Sequence, residues 1–248
     1  MLYALDFDGV VVDSIDECLN TSYKALSYIQ REGSKPLSKQ PTEEQKALFL
    51  HWRGLVRPSR NFFALWEWIL NFPEKKHSQE TFEKFASTFD DSLLKFEDIF
   101  HHIRSETLKN NPEIFIRENP LFRDVKEVWN EIPQPLYIVS TKDVESITLI
   151  LKAHKLNVHG IFGRGSGPKA QTLLNLAKSN SIAIEDTFFV DDNAQHAIDV
   201  KECGSQVGLA LWGYGPFETF EGKRLHSFNE VLGFFQPNLE VENSKNRH

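Results

Sequence analysis

Residues 2–14 read Leu2-Tyr3-Ala4-Leu5-Asp6-Phe7-Asp8-Gly9-Val10-Val11-Val12-Asp13-Ser14. An apolar run of this kind has the character of a buried strand, and it delivers two carboxylates, one residue apart, to a glycine turn. Burying even one unpaired carboxylate costs several kcal/mol, so two of them call for a compensating charge. Hard oxygen ligands at a strand end suit Mg2+. An aspartate beside such an ion can attack phosphorus covalently, splitting one difficult displacement into two easier ones. Taken alone, the same residues also fit a strand end with ordinary Asp-Gly turn chemistry.

Downstream of residue 121, apolar runs and helical patterns alternate. Runs with strand character are Pro135-Leu136-Tyr137-Ile138-Val139-Ser140, Gly160-Ile161-Phe162-Gly163, Thr187-Phe188-Phe189-Val190-Asp191-Asp192 and Val207-Gly208-Leu209-Ala210-Leu211. Helical patterns fall at 125–132, 146–154, 169–179 and 196–203. This alternation predicts an α/β fold: a parallel sheet with helices on both faces and functional groups outside the carboxyl ends of the strands.

Between 16 and 119 the pattern is helical instead. Residues 16–31 are amphipathic, 33–41 form a loop with two prolines, and Thr42-Glu43-Glu44-Gln45 is a capping-box start. Residues 60–72 are rich in aromatics, and a helix is expected over 78–94, running on toward 110, with Pro112 and Pro120 punctuating its exit. This stretch interrupts the alternation just after the first strand. Residues 1–15 and 120–236 are therefore read as one α/β core, 16–119 as an inserted helical domain, and 237–248 as a disordered tail.

At 248 residues the chain can bury a substantial core. Its net charge of -7 argues against a general nucleic-acid binder, which needs a basic face to displace counterions. A small phosphorylated molecule remains compatible, because local charges at a site outweigh the total. Cys18 and Cys203 match no zinc or CxxC pattern and point to a reducing compartment. The strand-like, acidic start does not read as a leader, and no apolar run approaches the ~20 residues that span a bilayer. The expectation is a cytoplasmic protein with no membrane contact, or a stromal one if a leader was removed.

The stretch from Asp6 to Ser14 resembles the first motif of the haloacid dehalogenase-like (HAD) hydrolases, a hydrophobic strand followed by DxDGTLxDS. The resemblance implies a Rossmann-like core, with Asp6 the nucleophile and Asp8 the general acid/base. The second aspartate points to phosphoryl transfer and away from dehalogenation. Three further stations follow in the family's order. Ser140 ends the second run, where family members have Ser or Thr to donate to a phosphoryl oxygen, commonly followed by Asn and Lys. Here Thr141 and Lys142 follow, and Thr141 competes for the role.

Lys169, in Gly165-Ser166-Gly167-Pro168-Lys169, stands at the third station, where an ammonium neutralises the nucleophile and the transferring group. A cation at a helix start is otherwise a locally unfavourable choice. The fourth, Phe188-Phe189-Val190-Asp191-Asp192-Asn193, resembles the metal-binding motif, usually GD or DD followed by a further acid. Asp192 aligns with the principal metal aspartate and Asp191 with the usual glycine; the later acid falls at His196, with Asp199 off register. Leu211-Trp212-Gly213-Tyr214-Gly215 resembles a segment of phosphoglycolate phosphatase-like members, where it serves backbone and packing geometry.

The resemblance thus implies Mg2+ held by Asp6, the backbone carbonyl of Asp8 and Asp192, with Asp191 close by. It implies hydrolysis of a small phosphorylated metabolite through an aspartyl-phosphate, worked by Asp6, Asp8, Ser140 and Lys169. The helical insertion corresponds to a cap that closes over substrate. A phosphotransferase or phosphomutase would keep the Asp6 chemistry and exclude water; a non-catalytic regulatory member is the third reading, motivated by His196. Arg53, Arg57 and Arg60, near Trp52, Phe62 and Phe63, are candidates for a second anion clamp. The plainer alternative is a solvated basic turn beside an aromatic core.

Overall fold

The computed structural model describes residues 1–29, 37–72, 78–215 and 220–236. The chain divides into two units, Met1–Asp13 with the chain from Pro120 onward, and Ser14–Asn119. The expected tail at 237–248 and part of the loop expected at 33–41 lie outside the described residues.

Ser14–Asn119 is helical, with α1 (Ile15–Ser27), α2 (Glu43–Trp52), α3 (Asn61–Asn71), α4 (Gln79–Ala86), α5 (Asp90–Asn110) and α6 (Pro112–Arg117). The capping box forms: the Thr42 hydroxyl accepts the Gln45 N–H, and the Gln45 side chain accepts that of Thr42. Phe62, Phe63, Trp66 and Trp68 of α3 are buried in one cluster with Phe49, Phe82, Phe96 and Phe100. The single helix expected from 78 toward 110 is instead two, separated by a 3-10 turn at Ser87–Phe89. There the hydroxyls of Ser87 and Thr88 donate to the carbonyls of Lys84 and Phe85, local bonds that compete with the helical ladder. Pro112, expected only as punctuation, opens α6, where its missing N–H costs nothing.

Glu17 and Arg104 meet inside this unit, Nε to Oε1 at 2.9 Å and Nη2 to Oε2 at 2.6 Å, and Thr21 donates a third bond to Glu17. Both side chains are almost fully buried. Arg104→Met would strand the Glu17 charge, so a loss of about 3–5 kcal/mol is expected in urea denaturation.

The other unit is built on β1 (Leu2–Leu5), β2 (Leu136–Val139), β3 (Gly160–Phe162), β4 (Thr187–Asp191), β5 (Gln206–Ala210) and β6 (Lys223–Leu225). All neighbours pair in parallel, in the order β3-β2-β1-β4-β5-β6. β1, β2 and β4 are buried at every position, which explains their continuous apolar runs. Its helices are α7 (Val125–Val128), α8 (Val144–His154), α9 (Lys169–Ser179), α10 (Ala194–Glu202) and α11 (Glu230–Phe235). This is the α/β fold with a parallel sheet that the alternation predicts. The helix expected at 125–132 is shorter, ending in a 3-10 turn at Trp129–Glu131, while β6 and α11 were not expected. Among the described residues no helix is long and apolar enough to cross a membrane.

Candidate active site

Asp6 lies one residue beyond β1, Ser140 one beyond β2, and Asp191 ends β4 with Asp192 next in the chain. Because β2, β1 and β4 are parallel neighbours, these residues emerge at a single edge of the sheet. Lys169, the first residue of α9, brings its Nζ to 2.8 Å from Asp6 Oδ2 and 2.8 Å from Asp191 Oδ2. Asp6, Ser140, Lys169, Asp191 and Asp192 are all buried. Sequence reasoning named each of them, and the fold brings them together.

The electrostatics follow from burial and the Lys169 ammonium. Desolvation pushes the Asp6 carboxyl above the usual carboxylate range, reinforced by the like charge of Asp191; Lys169 and the Ser140 hydroxyl pull it back. Burial works against the charge on Lys169 too, but the carboxylates of Asp191 and Asp6 outweigh it and hold its proton more tightly than usual. Asp191 is likewise penalised by burial, yet Lys169 and then His196 bring it well below the usual carboxylate range. Its Oδ1 also accepts the Asn193 N–H at 2.9 Å.

Asp6 Oδ1 is buried with no hydrogen-bond partner among the described residues. One carboxylate oxygen each from Asp6, Asp191 and Asp192 lie within 4.8 Å of one another. A buried orphaned oxygen amid hard oxygen donors fits a small divalent cation such as Mg2+.

The turn after β1 is shaped around Asp192. Gly9 has φ +81°, and a side chain there would run into the Asp192 carboxylate. The Tyr214 N–H donates to Asp192 Oδ2 at 2.8 Å, its hydroxyl to Asp13 Oδ1 at 3.0 Å, and the Trp212 indole to the Val10 carbonyl at 3.0 Å. The Trp212-Gly213-Tyr214 segment therefore braces both Asp192 and the turn. Lys142 Nζ reaches Asp8 Oδ1 at 2.9 Å, a contact that sequence reasoning missed.

The remaining candidates separate clearly. Thr141 is exposed, unlike Ser140. His196 Nδ1 stands 3.7 Å from Asp191 Oδ2, too far for a hydrogen bond but near enough to act through charge. Asp199 is exposed and accepts from the Gln195 side chain at 2.7 Å, away from the acidic cluster. In the helical unit, Arg57 pairs with Glu83 at 3.1 Å, and Arg53 donates to the Val56 carbonyl at 3.2 Å with its guanidinium 4.9 Å from the Phe62 ring centroid. Arg60 is exposed just before α3. The three arginines do not converge on a common group in these contacts.

Comparison with solved structures gives the fold its name. A predicted phosphoglycolate phosphatase from Haemophilus somnus superposes with a TM-score of 0.63 at 19% identity, over 93% of this chain and 96% of that one. A haloacid dehalogenase-like family hydrolase from Streptococcus pneumoniae gives 0.59 at 20% identity, over 95% and 98%. The chain has the HAD-like fold. A predicted phosphatase from Clostridium acetobutylicum, at 0.62 and 15% identity over 96% and 98%, shares it. No protein-family profile matches the sequence, and no curated protein matches it.

Proposed function

We propose that this chain is a Mg2+-dependent phosphatase that hydrolyses a small phosphate monoester through an aspartyl-phosphate on Asp6. The observation that carries this reading is the state of the Asp6 carboxylate: buried, anchored through Oδ2 by Lys169, and, among the described residues, unpartnered at Oδ1 beside Asp191 and Asp192. Two of the solved structures that share the fold are named as predicted phosphatases, which supports a phosphate ester as substrate.

Asp6, Asp192 and the Asp8 carbonyl are the groups that would hold Mg2+, with Asp191 close by but already engaged by Lys169 and Asn193. The ion supplies charge neutralisation as a phosphoryl group enters an acidic site. Asp6 attacks phosphorus in line, and the P–O bond to the alcohol breaks as Asp8 gives its proton to the departing oxygen. Lys169 and Ser140 face the phosphoryl oxygens while charge is redistributed. Asp8, now a carboxylate, takes a proton from water as that water attacks the aspartyl-phosphate; phosphate leaves and Asp6 is restored.

Phosphate release from a panel of small monoesters, in EDTA and then with Mg2+ restored, tests this. Release that stops in EDTA and returns with Mg2+ is expected. Mg2+ binding without release from any ester would overturn the hydrolase reading.

Gly213→Ala probes the proposed metal aspartate without replacing a ligand. A Cβ there would crowd the Asp192 side chain and the Gly9 carbonyl. Groups that orient a metal ligand typically contribute about 10–100-fold to affinity, so Mg2+ binding by calorimetry should weaken by at least about tenfold.

A further inference from the structure

Lys142 is a buried lysine whose side chain is 0% exposed, three residues beyond β2. Fixing and desolvating such a chain is costly, in rotamer freedom and in ammonium hydration. Its backbone is tightly held as well. The Lys142 N–H donates to Ser140 Oγ at 3.3 Å, and its carbonyl accepts the Arg164 N–H at 2.9 Å. At Gly163 even a Cβ would come within 2.6 Å of that carbonyl. The ammonium is thereby delivered to Asp8 Oδ1, at 2.9 Å, from a neighbouring strand end.

We propose that Lys142 is a positioning residue for Asp8, fixing the direction in which Asp8 presents its proton, so that the enzyme can expel alcohols that cannot leave unprotonated. The proposal rests on the aspartyl-phosphate reading above and assigns its substrate class: esters of alkyl alcohols, whose alkoxides are poor leaving groups. With Asp8 protonated on Oδ2, the ammonium still donates to Oδ1. Once Oδ2 has given its proton to the departing oxygen, the same ammonium faces the carboxylate charge that appears. In the second half, the carboxylate recovers a proton from the attacking water, so the cycle balances.

The leaving group separates this role from others. The constant kcat/KM reports steps up to departure of the alcohol. Glycerol phosphate needs the Asp8 proton at that stage; p-nitrophenyl phosphate, which leaves as a stable phenolate, does not. General acid catalysis is typically worth about 10²–10⁴-fold, so Lys142→Met should lower the ratio of kcat/KM for glycerol phosphate over p-nitrophenyl phosphate by about tenfold or more. Asp8→Asn should lower the same ratio, and adding Lys142→Met to Asp8→Asn should lower it no further. Lys142→Gln, which keeps a polar head in the pocket, is run beside it, and the ratio is read from each variant that retains the wild-type circular dichroism.

A parallel fall on both esters would mean that Lys142 grips the phosphoryl group or merely supports the fold, and would overturn the proposal. So would a further fall in the Asp8→Asn background, or the loss of folding in both Lys142 variants. Failure of the underlying reading looks different: wild type that releases no phosphate from either ester, or Asp6→Asn with full activity.

Discussion

Asp6→Asn is expected to cut phosphate release by at least about a thousandfold while melting close to the wild type. The substitution keeps shape and volume, but an amide is not a nucleophile toward phosphorus. Stability should survive because burial already disfavours the charged Asp6 carboxyl, and because Lys169 retains Asp191 at 2.8 Å as its counter-charge. The informative measurement pairs turnover with trapping. Wild type quenched in acid during turnover of a radiolabelled monoester should carry label that hydroxylamine releases, and the variant should carry none. Label on another residue, or a variant that turns over normally, would remove Asp6 from the role of nucleophile.

The parts of this molecule that can be read in sequence are those where chemistry is local. β1, β2 and β4 are buried at every position, so each appears as an uninterrupted apolar run, and the polar residue that ends it stands out. At those strand ends the resemblance to the HAD motifs picks out Asp6, Ser140, Asp191 and Asp192, and parallel pairing of the strands brings them to one edge. β6 escaped because two of its three residues are exposed and no apolar run marks it. The break between α4 and α5 escaped because it depends on which way two hydroxyls turn, at Ser87 and Thr88. Other features are invisible for a different reason. The Lys142–Asp8 contact joins residues 134 apart in sequence, and the donor that Tyr214 offers Asp192 is a main-chain N–H, which every residue but proline has. His196 shows the limit of alignment by motif. It occupies the register of the family's later acid, yet the geometry puts it beside Asp191, which itself holds Lys169 from the position that aligns with the family's usual glycine.

That arrangement makes Lys169→Met the second large effect. One ammonium, 5% exposed, balances two carboxylates that are themselves 8% and 0% exposed. Removing it leaves buried charge uncompensated, and breaking such a pair from one side costs about 3–5 kcal/mol. Activity should fall by at least about a hundredfold, because the phosphoryl oxygens lose a fixed positive charge aimed at them. The pH dependence has a definite sign. Burial and Asp191 raise the Asp6 carboxyl pKa, and Lys169 is the main group opposing them. Without it the folded-state pKa rises further above the unfolded value of about 4. A carboxyl shifted in that direction gives stability that is full below the unfolded pKa and lost as pH rises through the folded one. In EDTA, the variant should therefore lose more of its melting temperature between pH 5 and pH 8 than the wild type does. Mg2+ binds only the folded site and brings positive charge to the same carboxylates, so it should raise the variant's melting temperature more than the wild type's. A variant that matches the wild type in stability at both pH values, and gains no more from Mg2+, would mean that Asp6 and Asp191 are balanced by something other than Lys169.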